Sequence, residues 1–495
     1  MELKVKILKW SAGFPVAMLN EHTANIIGVK IKDRIFIKTI SQNSRGVSTI
    51  VDTVTKLVRK DEIAISSELK NRLGLNAGQK VDVGLSPTPK SMIFIKKKVN
   101  NEELSQEEVS AIIKDIIDNS LSEAEIALFI SAMYEKGMNM KETIFLINAI
   151  LNSGQRLKLS GKYIVDKHSI GGIPGNRTTP LVVSICATAG LIFPKSSSRA
   201  ITSAAGTADV IETIAKVEFS MSELKEIVKK TGACLIWGGS LEIVPADEKI
   251  ISIEKMLNID PESQLLASIM SKKLALGAKY ILIDIPYGRT AKVSKQKALQ
   301  LGKKFEYLGK HFNKKMKIVL TDGNQPIGNG IGPALELTDI IKVLKRHQDR
   351  PFDLEKKSLF LAGEIFEMTG KAKKGEGINL AKQILDSGKA LEKFKEIIKA
   401  QKGNVDGIKV AKLKKDILMK RDGKIVEYDN KKINSLARAA GCPMDKSAGL
   451  YLYHHVGDKL KKGEKLLTIY SESKARLKEA NNFFMSQKPI KIKNS

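Results

Sequence analysis

The sequence predicts a multidomain α/β protein: an N-terminal β-rich domain, a helical domain plus a large α/β domain, and a C-terminal small α+β domain. Three observations predict it. Apolar runs of strand length at 162–165, 191–194 and 280–285 each lead through a polar turn toward a helix. Capping boxes mark consecutive helices between residues 105 and 157. Period-two alternation opens the chain, and turn-rich polar segments close it.

Leu3, Val5 and Ile7 alternate, as do Val81, Val83 and Leu85, so residues 1–86 are read as a β domain. Ser86, Pro87, Thr88 and Pro89 mark its end. Residues 87–160 carry three helices, opened by Ser105 with Glu108, Ser122 with Glu125, and Asn139 with Glu142. Gly137 and Gly154 close the second and third. Val109, Ile112, Ile113, Ile116 and Ile117 give the first a packing stripe. The α/β domain with its associated helices spans 161–425 and the last domain 426–495, where 456–470 reads as hairpins.

With 42% apolar and 28% charged residues, the 495-residue chain can bury the cores of several domains. Cys186, Cys234 and Cys442 stand far apart in apolar or small-residue surroundings, with no disulfide framework and no metal-ligand spacing. That favours a reducing compartment. Met1, Glu2, Leu3 and Lys4 do not begin a signal peptide, and the cytoplasm is expected. The longest uncharged stretch, 178–194, is short and broken for a membrane span, so no membrane partner is expected. A net charge of +29 raises a nucleic-acid partner. Yet the lysines fall in small scattered groups, and aromatics, at 5%, do not interleave with them. A solvated basic surface, with no specific nucleic acid, is the reading.

The run 162–165 empties into Asp166, Lys167, His168, Ser169, Ile170, Gly171 and Gly172. Thr179 as N-cap and Pro180 at the first helical position then start a helix that stops at Gly190. Such a turn builds an anion site: glycines admit backbone N–H groups, the lysine adds charge, and the helix start adds its dipole. The second run, 191–194, leads through Lys195 to Thr207 into a helix over 208–215, capped by Thr207 or by Asp209 with Glu212. Two such loops would sit side by side at the carboxyl ends of parallel strands, where open α/β sheets bind ligands. Neither a P-loop nor a dinucleotide fingerprint occurs. Caps alone would account for Thr179, Thr207 and Asp209. Two loops in tandem carrying Lys167, His168 and Arg199 point instead to a phosphate-handling enzyme.

Asp260 as N-cap and Pro261 at the first helical position open another helix, striped by Leu265, Leu266, Ile269, Met270 and Leu274. Ser268 and Lys272 share one of its faces. The strand 280–285 closes at Pro286, and its exit loop carries Arg289 and Lys292. Taken singly, these read as a cap, a surface lysine and a basic loop.

Together the segments 166–172, 197–209, 233–239, 245–247, 267–274 and 321–328 resemble the thymidine phosphorylase superfamily, which includes the pyrimidine-nucleoside phosphorylases. They are most similar to its archaeal AMP phosphorylase branch, and 446–451 with 456–458 resemble that branch too. The resemblance covers nearly the whole chain. It implies a fold of nucleoside phosphorylase type, no cofactor, no metal, and inorganic phosphate as co-substrate. The implied reaction, in nucleotide salvage or AMP catabolism, converts AMP and phosphate to adenine and ribose 1,5-bisphosphate, with CMP and UMP as further substrates.

By the same resemblance Lys167, Ser169, Ser197 and Thr207 would hold phosphate, and His168 would orient phosphate or a sugar hydroxyl. Gly172, Ser198, Arg199, Ala200, Ile201, Thr202, Ser203, Thr207, Ser268 and Lys292 would contact AMP. Asp260 would give the departing base its proton. A free aspartic acid titrates near about 3.9, so that role needs a desolvated site or a proton shared with the base. A homodimer through the helical domain, and higher assembly through the last domain, are implied as well.

One departure bears on substrate. Pyrimidine-nucleoside phosphorylases carry an arginine for the base carbonyl where this chain has Ile253, so thymidine is not expected as the main substrate. The enzyme rivals are a pyrimidine-nucleoside phosphorylase and an anthranilate-type phosphoribosyltransferase. The latter would need Mg²⁺ on paired carboxylates, and no adjacent pair stands at the predicted strand ends. A basic RNA-binding scaffold with a degenerate core is a third class, against which Lys167, His168, Ser169 and Asp260 all argue.

Overall fold

The computed structural model describes every residue except 9–14, 41–43, 87, 201–202, 242 and 495, and the side chains of 240, 241 and 494. The chain divides into two compact units, Met1–Gly154 with Pro245–Ser268, and Gln155–Val244 with Ile269–Ser495.

The first unit opens with β1 (Glu2–Ile7), β2 (Val16–Asn20), α1 (Glu21–Ile27), β3 (Arg34–Thr39) and β4 (Gly46–Val54). It continues with β5 (Glu62–Ile65), α2 (Ser67–Leu73) and β6 (Lys80–Leu85). The strands close a barrel in the order β1-β5-β2-β4-β3-β6, which leaves no free sheet edge. Leu3, Val5, Val81 and Val83 fill its core, as their alternation predicts, whereas Leu85 is exposed at a strand end. Four helices follow instead of three: α3 (Ser91–Val99), α4 (Gln106–Ile117), α5 (Glu123–Lys136) and α6 (Met140–Asn152). All three expected capping boxes form. Gly137 caps α5, but Ser153 caps α6, one residue before Gly154. Lys98 of α3 pairs with Glu142 of α6 at 2.9 Å, and both are buried.

The second unit is built on parallel strands. In chain order come β7 (Val165–Ser169), α7 (Thr178–Thr188), β8 (Phe193–Ser197), α8 (Thr207–Ile211), α9 (Met221–Thr231) and β9 (Ala233–Trp237). Next is α10 (Pro245–Leu257), which belongs to the first unit and packs on α4 and α5. Then come α11 (Glu262–Ala275), β10 (Tyr280–Tyr287), α12 (Lys295–His311) and β11 (Lys315–Asp322). β10 pairs with both β7 and β11, and β8 pairs with β9. A parallel bridge from Ile164 to Ile192 joins the two groups, giving the order β11-β10-β7-β8-β9. The chain winds outward from β7 to β9 and restarts at β10 on the other side. The switch point, where such sheets open a crevice at their carboxyl ends, therefore lies between β7 and β10.

Next in the chain come β12 (Gly330–Ile331), α13 (Pro333–Leu344), α14 (Phe352–Thr369), α15 (Gly377–Asp386) and α16 (Lys389–Ala400). Leu282, Val319 and Leu235 of the strands share one apolar core with Leu181, Leu337, Leu361 and Phe394 of these helices and α7. The last part comprises β13 (Leu413–Leu418), β14 (Gly423–Tyr428), α17 (Asn430–Ala440), β15 (Gly449–Leu452), β16 (Lys459–Leu460), β17 (Lys465–Ser471), α18 (Lys474–Gln487) and β18 (Ile490–Asn494). β12 joins its sheet beside β15, and Ala204 and Ile331 sit in its core, so it is stitched to the α/β part. The expected hairpin within 456–470 is corrected: β16 pairs with β14, and β17 with β13 and β15.

Four local expectations also change. β7 and β8 extend through Ser169 and Ser197, so the polar residues read as loops are strand residues. Arg177, not Thr179, is the N-cap of α7, which puts Pro180 at its third position and ends the helix at Thr188. Gly206 caps α8, and Asp209, at the third position, accepts a hydrogen bond from its N–H at 2.7 Å. The helix after Asp260 begins at Glu262, so Asp260 stands two residues before it.

Candidate active site

A polar side chain survives in a buried parallel strand only when other polar groups meet it. Asp166 of β7 is 1% exposed, and its two carboxylate oxygens face Lys195 Nζ at 3.2 Å and Lys273 Nζ at 2.9 Å. Lys195, on β8, also donates to the Ser196 carbonyl. Asp284 of β10 accepts from Thr321 Oγ1 at 2.6 Å and pairs with Lys357 Nζ at 3.1 Å. Burial works against its charge, but Lys357 and Lys167 outweigh burial and hold its carboxyl below the ordinary range. Two buried aspartates are thus surrounded by Lys167, Lys195, Lys273 and Lys357, all under a tenth exposed by residue or side chain, and buried Lys272 adds its charge near His168. The surplus of positive charge suits an anion.

Lys167 stands at the switch point, 1% exposed, and donates to Thr178 Oγ1 at 2.7 Å. Burial, opposed by Asp284 and reinforced by Lys357 and Arg177, brings its ammonium down to about 7. Burial and the repulsion of Lys273, Lys195, Lys167 and Lys272 push His168 well below the usual histidine range. The imidazole is therefore neutral at neutral pH, a hydrogen-bonding group and not a cationic acid. Ser169 accepts from Asn176 Nδ2 at 3.3 Å. The offset of the Ile164–Ile192 bridge brings Ser169 level with Ser197 on the neighbouring strand. The hydroxyls of Ser196 and Ser197 are buried with no protein partner, two donors available to a ligand.

Arg177 is a residue that sequence reasoning passed over. Its guanidinium reaches Glu336 Oε2 at 2.6 Å, the Ala205 carbonyl at 2.6 Å and Thr207 Oγ1 at 2.9 Å, fixing the loop after β8 to the start of α7. Thr207 accepts there and keeps its own proton for another acceptor. Asp209 Oδ2 accepts from the N–H groups of Ala200 and Gly206, both at 2.7 Å. Arg199 is drawn away into a salt-bridge group with Glu212 and Glu218, stacked 4.5 Å over the ring of Trp237. Ser198 is half-buried, and Ser203 donates to the Ala205 carbonyl. Ile201 and Thr202 lie outside the described residues.

Gly172, at φ +91°, would be strained by a side chain, and an added Cβ would press on Lys292 Cβ at 3.1 Å and on its backbone nitrogen at 3.3 Å. The loops after β7 and β10 are therefore in contact, with half-buried Lys292 beside the glycine pair. Arg289 is exposed and paired with Glu427. Of the expected positions, Lys167, His168, Ser169, Gly172, Ser197, Thr207 and Lys292 lie at or beyond the carboxyl ends of β7, β8 and β10, as do Ser198, Arg199, Ala200 and Ser203 on the segment after β8. Asp260 and Ser268 belong to the first unit. Asp260 is exposed, and Ser268 donates to Asp247 Oδ2 at 3.0 Å, beside a second bond from Gln264 at 2.9 Å. Among the described residues no three His, Cys, Asp or Glu side chains gather to hold a metal ion. No helix among them is long and apolar enough to cross a membrane.

Three family domains match in succession: the helical bundle domain of the glycosyl transferase family at 93–154, its a/b domain at 161–391, and the pyrimidine nucleoside phosphorylase C-terminal domain at 424–491. Anthranilate phosphoribosyltransferase from Thermus thermophilus shares the fold, with a TM-score of 0.51 at 18% identity over 62% of this chain and 99% of its own. The AMP phosphorylase of Pyrococcus horikoshii is 45% identical and that of Thermococcus kodakarensis 42%, each over 99% of this chain and 98% of the relative. That of Methanocaldococcus jannaschii is 42% identical over 93% of this chain and 92% of its own. With identity at this level sustained through every domain, the chain belongs to the AMP phosphorylases of the glycosyl transferase family.

Proposed function

We propose that the protein is a pentosyltransferase that cleaves AMP with inorganic phosphate, giving adenine and ribose 1,5-bisphosphate. The observation that carries the reading is full-length likeness to AMP phosphorylases together with a buried, cation-rich anion site at the switch point. A phosphate oxygen forms a bond to C1′ as the C1′–N bond to the base breaks. The electron pair of that bond leaves with the base, which takes up a proton. Lys167, Ser169, Ser197 and Thr207 hold the attacking phosphate, and its negative charge stabilises the cationic character developing at C1′. Neutral His168 orients the phosphate or a ribose hydroxyl. Asp260 delivers the proton, and its exposed carboxyl must lose water when substrate binds to serve as an acid near neutral pH.

Gly172, Lys292, Ser268 and residues 198–203 contact the nucleotide, and Arg199 contributes by shaping that loop. CMP and UMP are further substrates, and the protein needs no cofactor beyond its co-substrate. It works in the cytoplasm in AMP catabolism, as a homodimer through the helical domain with further assembly through the last domain. The pyrimidine-nucleoside reading is not favoured: Ile253 is buried on α10 and has no group to meet a base carbonyl.

The test is incubation of purified protein with AMP, phosphate and EDTA, following free adenine by chromatography. Phosphate-dependent adenine from AMP, with none from adenosine, is expected. Turnover of a nucleoside instead, or of a phosphoribosyl donor only when Mg²⁺ replaces EDTA, would overturn the substrate.

A further inference from the structure

Helix α17 of the C-terminal part lies against the substrate edge of the sheet. Its residues Asn430 and Asn434, one turn apart on one face, are 0% and 4% exposed. Asn434 Oδ1 accepts from the Ala204 N–H at 3.0 Å, and its Nδ2 faces the Gly172 carbonyl at 3.5 Å. Asn430 Nδ2 donates to the Gly323 carbonyl at 2.8 Å, and its N–H donates to Thr290 Oγ1 at 3.3 Å. Thr290 in turn donates to the Tyr428 carbonyl just ahead of the helix. Gly172, Ala204, Thr290 and Gly323 follow β7, β8, β10 and β11 respectively. One turn of one helix thus ties together the exit loops of four neighbouring strands. The other face of α17 buries Ile433, Leu436, Ala437 and Ala440 in the C-terminal core, which anchors that turn.

We infer that Asn434 and Asn430 are positioning residues that set the spacing of the nucleotide-binding loops, so that the C-terminal part completes the specificity of a site it does not itself line. The inference rests on the proposed phosphorolysis. Two bonds to backbone groups on different loops fix a distance that neither loop fixes alone, and buried amides leave their partners unsatisfied when removed. Of the expected phosphate residues, Lys167, Ser169 and Ser197 are strand-borne, and Thr207, at the start of α8, is held separately by Arg177, so none of the four takes its place from this tie. Loss of the tie therefore falls on the nucleotide and spares phosphate.

The experiment compares wild type with Asn434→Ala, Asn434→Asp and the core-facing control Leu436→Ala in the full-length protein, using whichever nucleotide or nucleoside the wild type cleaves. Failure of wild type with AMP would overturn the substrate reading alone, and the comparison would proceed on the substrate found. Asn434→Ala is expected to raise KM for the nucleotide about ten-fold, the scale of one lost buried hydrogen bond, with KM for phosphate within about two-fold. Asn434→Asp keeps the acceptor for Ala204 and loses the donor to Gly172, and should fall between. Leu436→Ala should lower the melting temperature and leave both KM values in place. Unchanged KM for the nucleotide in both Asn434 variants would overturn the inference. So would a loss shared equally by both substrates and by Leu436→Ala.

Discussion

Replacing Lys167 by methionine separates what this residue costs the fold from what it contributes to the reaction. Its ammonium is fully buried and makes a hydrogen bond to Thr178 Oγ1. Burial takes it from its ordinary value of 10.5 down to about 7. At about 1.4 kcal/mol per pH unit, the charged form carries an unfavourable contribution of up to about 5 kcal/mol. Methionine keeps most of the stem, removes the charge and gives up one hydrogen bond, worth about 1 kcal/mol. With allowance for relaxation around the cation, Lys167→Met should be more stable by about 2–4 kcal/mol at neutral pH. Because the folded value lies below the unfolded one, the unfavourable contribution is complete below about pH 7 and fades as pH rises toward 10.5. The advantage should therefore shrink with alkalinity. Denaturation midpoints in phosphate-free buffer at about pH 6.5 and about pH 10 measure this directly. The same variant should lose about ten- to a hundred-fold in kcat/KM for phosphate, the value of a hydrogen bond to a charged group. A midpoint at or below wild type near pH 6.5, or a kcat/KM for phosphate within about two-fold, would refute the reasoning.

Other variants probe separate parts of the molecule. Asp260→Asn should lower kcat by about 10²–10⁴ and leave phosphate affinity, measured by calorimetry, within about two-fold, since the proposed proton donor and the proposed phosphate residues are different groups. Asp339 is buried and accepts from the N–H groups of Asn329 and Gly330, both at 2.7 Å. Burial pushes its carboxyl up to about 7, an unfavourable contribution absent below about pH 4 and complete above about 7. Asp339→Asn keeps an acceptor oxygen, so its midpoint should match wild type near pH 4 and exceed it near pH 8. Gly175 sits at φ +67°, and a Cβ there would lie 2.2 Å from the Ile327 carbonyl oxygen. Gly175→Ala should cost at least about 1–3 kcal/mol in a thermal melt, combining left-handed strain with a backbone clash.

What the sequence made legible was what is local. The capping boxes at Ser105, Ser122 and Asn139 form because each needs only residues three apart. The two anion loops were found by their composition. Their extent is not legible, because Asp166 and Lys195 look like loop residues until the partners that let them enter strands are known. Those partners, Lys195 and Lys273 for Asp166, are remote in the chain and follow no spacing rule. Arg199 was expected at the ligand for its charge, but Glu212 and Glu218 compete for the same guanidinium. Helix α3 escaped notice because it lies among prolines and lysines, with weak amphipathicity and no side-chain cap. The barrel, too, was visible only as alternating strands, because its closure depends on pairings between distant segments.

The placement of the anion residues on strands, with the other contacts on connecting loops, makes the architecture modular. Lys167, Ser169 and Ser197 are held by β7 and β8, whose backbones are fixed by the sheet. Residues 198–200, 203–206 and 288–292 are connectors, and connectors tolerate exchange better than paired strands. On the proposed roles, grafting alternative connectors is therefore a route to retargeting the leaving group while the sheet keeps its hold on phosphate. Any graft of the first connector must bring an anchor equivalent to Arg199 with Glu212 and Glu218, because that cluster, and not the ligand, supports its outer end.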